Sequence, residues 1–294
     1  MLRIARSKST SPRWGEVVLA CGSVDPMTPV LDETILARDA ALLKDTVREA
    51  GALAQSMFRT ELRKWTKGAS SPVSEADIAV NDLLEARLRA ATPDYGWLSE
   101  ESADDAARLS RRLTWIVDPI DGTRNYLGGH DEWCVSVALV EDASPVLAAV
   151  FAPASDEFFF AVRGQGTTLN DKPVRATSGS ELDFARVAGP KPLVERLKPS
   201  LGEIKLHRRI GSLALRLCRV AHGALDAAFA GGNSHDWDLA AADLIVQEAD
   251  GRMSDLSGEP ILYNRREVAH GVLVAAGRDR HAGIVAHFRN RPLA

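Results

Sequence analysis

Apolar residues recur at three- and four-residue intervals from Ile35 to Trp65, through Leu42, Leu43, Val47, Ala50, Ala54, Met57, Phe58 and Leu62. That spacing describes one helix face, so the pattern predicts a single long amphipathic helix over the whole stretch. After the polar loop KGASSP, Ser74 and Asp77 have the spacing of a capping box. They open a second helix with Ile78, Leu84 and Leu88 inward, ending near Pro93. The pattern then shortens. Residues 95–98 read as a strand that empties into acidic residues, and LTWIVDP as a strand stopped by Pro119. WCVSVALVED, SPVLAAVFAPAS, DEFFFAVRGQG and TLNDKPV follow as short apolar runs separated by turn residues, which predicts an antiparallel meander. Beyond Ser178, ARVAGP and IKLHRRIGS alternate with helical patterns at 213–222 and 239–249, the sign of a mixed α/β unit. The expected organisation is a tail (1–30), an α+β unit (31–176) and an α/β unit (177–294).

Composition narrows the function. The chain has 294 residues, 45% hydrophobic and 26% charged, which is ordinary for a globular protein with a sizeable core. With 36 basic against 40 acidic residues, the net charge of −4 creates no field that would gather nucleic acid or an anionic membrane. Small-molecule chemistry is the expectation. Cys21, Cys134 and Cys218 are odd in number and lack CxxC spacing, which argues against a disulfide framework or a structural zinc and fits a reducing cytoplasm. No apolar run approaches the roughly 18 residues needed to span a bilayer. The basic opening MLRIARSKSTSPRW is weighed as a targeting segment and reads better as a disordered tail or an over-extended start, with Met27 as a second plausible N-terminus.

The chemistry concentrates in DPIDGT, residues 118–123. Pro119 forces Asp118 into an extended conformation and Asp121-Gly122 tightens the following turn, so both carboxylates can face one small volume. Carboxylates that close repel, and either one holds a proton or a cation sits between them. A hard divalent metal is the natural occupant. The Ile120 carbonyl is a further oxygen donor, and the consecutive amides of Gly122 and Thr123 suit a phosphate oxyanion. Asp-Pro and Asp-Gly are also ordinary turn formers, so further ligands are required elsewhere. LSEES offers Glu100 and Glu101 just past a strand, where a solvated acidic loop is the competing reading. HDWDLAAAD offers Asp236 and Asp238, with Asp238 alternatively a plain N-cap. Cys134 reads as a packed thiol, His130 and His235 as loop histidines, and Ser212 as either a helix cap or a substrate contact.

SPVSEAD, LSEES, WIVDPIDGT, RGQGTTLN, IGSLALRL and WDLAAAD together resemble, in order and spacing, the inositol monophosphatase superfamily of Mg²⁺-dependent, lithium-sensitive phosphomonoesterases. The resemblance covers nearly everything from Leu31 onward. It implies a two-subdomain αβαβα layered sandwich, α+β joined to α/β, with the site between them and a homodimeric assembly. It also implies that Glu100, Asp118 and the Ile120 carbonyl hold one metal, and Asp118, Asp121 and Asp238 a second, with two or three Mg²⁺ ions in all. Asp77, Glu100 and Thr123 would be the catalytic residues, Thr123 positioned by Asp77 and orienting the attacking water with Glu100. Gly122, Thr123, Arg124, Ser212 and Asp238 would meet the substrate. Lys67 is left out because its loop spacing differs by one residue, and Ser99 stands where the family usually has glycine.

Inositol-specific members place a glutamate seven residues before the last metal aspartate, and that position is Gly231 here. YGWLSEES, DPIDGTRNY and HGVLVAAG instead resemble the bacterial 3'(2'),5'-bisphosphate nucleotidases, which remove one phosphate from adenosine 3',5'-bisphosphate. Arg124 would pair with the second phosphate. Inositol monophosphatase and histidinol-phosphate phosphatase activities are the alternatives, and a regulatory protein without catalysis is the reading from another class. The expected partner is a small phosphorylated substrate rather than nucleic acid or membrane.

Overall fold

The computed structural model describes residues 32–67 and 71–291. The expected N-terminal tail and Cys21 lie outside the described residues. Helix α1 (Glu33–Met57) starts at the Asp32 cap, whose carboxylate accepts from the Thr34 amide. It stops well short of Trp65, which corrects the reading of one continuous helix. Phe58 is extended and Arg59 has a φ of 62°, so the chain turns where the apolar period carries on. Trp65 belongs to strand β1 (Lys64–Lys67), antiparallel to β2 (Ser71–Ser74) with Trp65 opposite Val73. Ser74 caps α2 (Glu75–Ala91) through the expected capping box, its amide donating to Asp77 Oδ2 at 2.8 Å.

A seven-stranded sheet follows, in spatial order β3 (Gly96–Ser99), β4 (Leu113–Asp121), β5 (Cys134–Glu141), β6 (Ser144–Ala152), β7 (Glu157–Val162), β8 (Gly166–Leu169) and β9 (Lys172–Pro173). From β4 on, every neighbour is antiparallel, the expected meander; β3 joins β4 in parallel. Strand β4 is buried along its whole length because both faces of the sheet are covered. Trp115 and Val117 point into a core with α1 and α2, while Ile116 points into the opposite core, the two-residue alternation of a strand.

The second sheet runs β11 (Lys205–Leu206), β10 (Arg186–Ala188), β12 (Ala227–Ala230), β16 (Leu273–Gly277) and β14 (Gly251–Asp255), with β10 parallel to both its neighbours. Helices α5 (Leu213–Ala221) and α6 (Asp236–Glu248) fill the space between the sheets. Ala188, Ala228, Ala230 and Ala275 line that side of the second sheet, and their small side chains leave room for the helices. Its outer face carries Val187, Phe229 and Val274 against α4 (Lys191–Leu201) and α7 (Arg278–Asn290). The layers are therefore helices, sheet, helices, sheet, helices. A short helix α3 (Thr123–Leu127) and a pair β13 (Ser234–His235) and β15 (Ala269–His270) complete the elements used below. Among the described residues, no helix is long and apolar enough to cross a membrane.

Candidate active site

Strand β4 does not end at Pro119 but runs on to Asp121, and the reason is a bulge. Asp118 pairs with Ser136 and Asp121 with Cys134, so two residues of β4, Pro119 and Ile120, face one residue of β5. In a regular strand, positions three apart point to opposite faces; one inserted residue brings them to the same face. Pro119 is tolerated because the ladder is already broken there. The two aspartates thus converge by backbone geometry, and the Ile120 amide donates to Asp118 Oδ1 at 3.0 Å to hold the bulge.

Asp238 arrives from the second half of the chain. It is not the N-cap of α6: His235 occupies that position and Asp238 is the third helical residue, accepting from the His235 amide at 2.6 Å. The helix begins at Asp236, before the apolar periodicity starts at Leu239, because Asp236 is fully buried and holds the Asn264 amide at 2.7 Å and His270 at 2.6 Å. With its N-terminus anchored so, α6 carries Asp238 to the exit of β4. Carboxylate oxygens of Asp118, Asp121 and Asp238 all lie within 4.8 Å of one another. Asp121 is further held by the start of α5: Ser212 Oγ and the Ala214 amide each donate to Asp121 Oδ2 at 2.6 Å. Ser212 is fully buried and its Oγ also accepts from the Leu215 amide, so the capping role displaces the reading of Ser212 as a substrate contact.

Electrostatics bind Glu100 to the same cluster. Burial and then the charges of Asp238 and Glu101 push its carboxyl up to about 8. Burial and then Glu100 and Asp121 drive Asp118 well above the carboxylate range. Asp121 is pushed up to about 6 by burial and Asp238, against the pull of Ser212 and the α5 amides. Such a cluster is costly while charged and unneutralised. Its donors are all oxygens, with no thiolate or imidazole among the three converging ligands, and that set suits Mg²⁺.

Thr123 opens α3, and its Oγ1 lies 3.1 Å from Asp77 Oδ1 and 3.0 Å from the Ile120 carbonyl oxygen. Asp77 is buried at the start of α2, and burial raises its carboxyl. Gly122 has a φ of 95°, and a Cβ there would sit 3.0 Å from the Glu132 carbonyl, so glycine is required where the chain turns from β4 into α3. Cys134 is buried, as expected of a packed thiol, and burial pushes its thiol up. His235 stacks on Trp237 at 4.7 Å beside Asp238.

Lys67 belongs to this site, although its loop spacing departs from the family's by one residue. Its Nζ donates to the Glu100 carbonyl oxygen at 2.8 Å and pairs with the buried carboxylate of Glu101. Glu101 thereby balances Lys67 and orients the segment that carries Glu100. Nothing local in the sequence marks that contact, which spans 33 positions. Beside Asp238 opens a cavity of about 700 Å³ lined by Arg124, Lys191, Arg209, Arg216 and Ser234 among others. Of these, Lys191, Arg209, Arg216 and Ser234 carried no sequence signal, because their convergence depends on how the second sheet stacks.

The sequence profile of the inositol monophosphatase family matches residues 36–293. Inositol monophosphatase 2 of Solanum lycopersicum is 34% identical over 238 residues, covering 76% of this chain and 90% of that protein. The Nus factor SuhB of Xylella fastidiosa is 36% identical over 197 residues, covering 63% of this chain and 69% of that protein. The crystal structure of extragenic suppressor protein suhB from Bartonella henselae superposes with a TM-score of 0.76 at 26% identity, covering 87% of this chain and 100% of that one. A profile match over most of the length, the layered fold and a cluster of oxygen ligands agree: the chain belongs to the inositol monophosphatase family, whose members are Mg²⁺-dependent hydrolases of phosphoric monoesters.

Proposed function

We propose that the substrate is a 3'(2'),5'-bisphosphate nucleotide, and that the chain converts adenosine 3',5'-bisphosphate to AMP and phosphate. The observation that carries this reading is the cavity beside Asp238, which is lined by cations and by Gly231 in place of a carboxylate that would hold a ring hydroxyl. A Cβ at Gly231 would meet only Pro190 Cγ at 3.6 Å, so the wall is open enough for a nucleoside.

Glu100, Asp118 and the Ile120 carbonyl would hold one Mg²⁺, and Asp118, Asp121 and Asp238 a second. Bound Mg²⁺ supplies charge that neutralises the phosphoryl oxygens and lowers the pKa of water. The chain's own groups do the rest. The Gly122 and Thr123 amides orient the phosphate, Arg124 pairs with anionic oxygens, and Glu100 with Thr123 aims the attacking water. Asp77, held by Ser74 Oγ at 2.6 Å, fixes Thr123 Oγ1 and is placed to accept its proton. No protein nucleophile is needed, since the leaving alkoxide departs in line from a water attack. Lithium inhibition, a homodimer and a cytoplasmic location extend the same reading by resemblance.

Relatives named inositol monophosphatase support inositol 1-phosphate as the second reading. Histidinol phosphate is the third, because DPIDGTR is shared with those phosphatases. A regulatory role without catalysis is supported only by the names of relatives such as the Nus factor SuhB, and retention of all the proposed carboxylate ligands weighs against it. The test is phosphate release with Mg²⁺ from adenosine 3',5'-bisphosphate, inositol 1-phosphate, histidinol phosphate and fructose 1,6-bisphosphate. Preference for the first is expected; preference for another reassigns the substrate, and no release from any favours the regulatory reading.

A further inference from the structure

The cavity beside the carboxylates holds more positive charge than hydrolysis of one ester requires. Arg124, Lys191, Arg209 and Arg216 line it with His207, and Asp238 is the one carboxylate among the lining residues. Arg216 is already committed, donating to the Phe229 and Ile210 carbonyl oxygens at 3.0 Å each. Lys191, the first residue of α4, pairs among the described residues only with the exposed Glu195 at 3.6 Å, a helix pair worth little. Arg209 lies between β11 and α5, is exposed, and pairs with no carboxylate among the described residues. Two cations from separate elements therefore stand at one cavity without strong partners.

Ser234 adds an independent sign of a ligand. It is 6% exposed, lines the same cavity, and its Oγ has no hydrogen-bond partner. A buried hydroxyl left unpaired costs about 1–3 kcal/mol, and this one, enclosed in a residue of the cavity wall, would be satisfied by a ligand's polar group once the wall adjusts on binding. Gly232, next to it in the wall, would carry a Cβ with nothing within 4 Å, so the wall does not close over the space. The volume, about 700 Å³, falls in the range of sites that enclose an organic ligand rather than phosphate alone.

We propose that Arg209 and Lys191 form a subsite for a second anionic group of the substrate, and that Ser234 Oγ hydrogen-bonds the organic moiety between that group and the reacting phosphate. This rests on the acidic cluster being the hydrolytic centre. The substrate class follows: a phosphomonoester bearing a second phosphate across a sugar or nucleoside. Charge-assisted contacts to two exposed cations would favour it over the matching monophosphate. Arg209 offers a planar fork to the phosphate oxygens and Lys191 a point charge.

The test compares kcat/KM for adenosine 3',5'-bisphosphate with that for adenosine 3'-monophosphate, in the native chain and in Lys191→Ala/Arg209→Ala. The ratio between the two substrates is expected to fall by about tenfold or more in the double variant, chiefly through KM. Arg209→Lys should recover much of it, and Ser234→Ala should raise KM for both nucleotides. An unchanged ratio in the folded double variant overturns the subsite. A second readout does not depend on turnover: the shift in Tm caused by each nucleotide in the presence of Mg²⁺. Should neither nucleotide be hydrolysed, the proposed substrate fails, yet the subsite stands if the bisphosphate gives the larger shift and the double variant abolishes the difference. Equal shifts in the native chain overturn it.

Discussion

Ser212 and Asp121, 91 positions apart, are joined by a 2.6 Å hydrogen bond in which the serine hydroxyl donates to Oδ2. The contact ties the exit of β4 to the first turn of α5, and the Ala214 amide adds a second donor at 2.6 Å to the same oxygen. One carboxylate oxygen is thus fixed by the helix start, which favours the ionised form against burial and the charge of Asp238. Replacing Ser212 by Ala should cost about 1–2 kcal/mol of stability and raise the Mg²⁺ concentration needed for half-maximal phosphate release. Saturating Mg²⁺ should restore most of the rate. A Mg²⁺ titration paired with thermal denaturation reads both effects, and an unchanged half-maximal concentration would refute the coupling.

Asp118 is fully enclosed among like charges, so Asp118→Asn should abolish Mg²⁺-dependent phosphate release without unfolding the chain. Removing a buried charge from a repelling cluster should leave the metal-free protein as stable as before or more so. Denaturant melts in EDTA alongside a phosphate assay decide this; residual Mg²⁺-dependent turnover at the native rate would remove Asp118 from the centre.

The same cluster sets the pH behaviour of the metal-free protein. Glu100 is raised from 4.5 to about 8 and Asp121 from 3.8 to about 6. Because the folded values exceed the unfolded ones, stability from these groups is fully present below about pH 4 and is lost as pH rises toward 8. Mg²⁺ binds the ionised form and should reverse the loss. The gain in Tm on adding Mg²⁺ should therefore grow steadily from about pH 5 to pH 8. A gain independent of pH would argue that the cation binds elsewhere.

Gly122→Ala should destabilise the chain by about 1–2 kcal/mol, since a φ of 95° is unfavourable for any residue with a Cβ. The added methyl also approaches the Glu132 carbonyl at 3.0 Å and the Ser212 backbone at 3.3 Å, so activity should fall further than stability explains. Calorimetry and steady-state kinetics on the same preparation separate the two; full activity would show that the turn tolerates displacement.

His281 lies on the buried face of α7, and its Nε2 is 2.8 Å from Ser254 Oγ. Burial, with Arg252 nearby, pushes its imidazole down to about 4. A depressed histidine stabilises the fold above its unfolded value of 6.5 and loses that contribution as pH falls toward 4. His281→Gln should flatten the acid limb of the Tm profile across that window, and a limb as steep as that of the native chain would place the acid sensitivity elsewhere.

Period and punctuation along the chain determined much of this protein. The capping box at Ser74 and Asp77, the meander from Cys134 to Pro173, and DPIDGT at the end of an apolar run all follow from local chemistry that needs no distant partner. Where apolar spacing continued by accident, as from Met57 to Trp65, local pattern overran the helix, because only backbone conformation at Phe58 and Arg59 ends it. The bulge that turns Asp118 and Asp121 to one face is a property of pairing with β5 and has no signature in β4 alone. Likewise, Asp236 starts α6 early because Asn264 and His270 reach it from the far end of the chain. Lys67, Arg209, Lys191 and Ser234 acquire their meaning only when two stacked sheets bring separate segments to one cavity edge. Charge and hydrogen-bond partners that lie tens of residues away are fixed by packing, and packing is what a one-dimensional pattern does not contain.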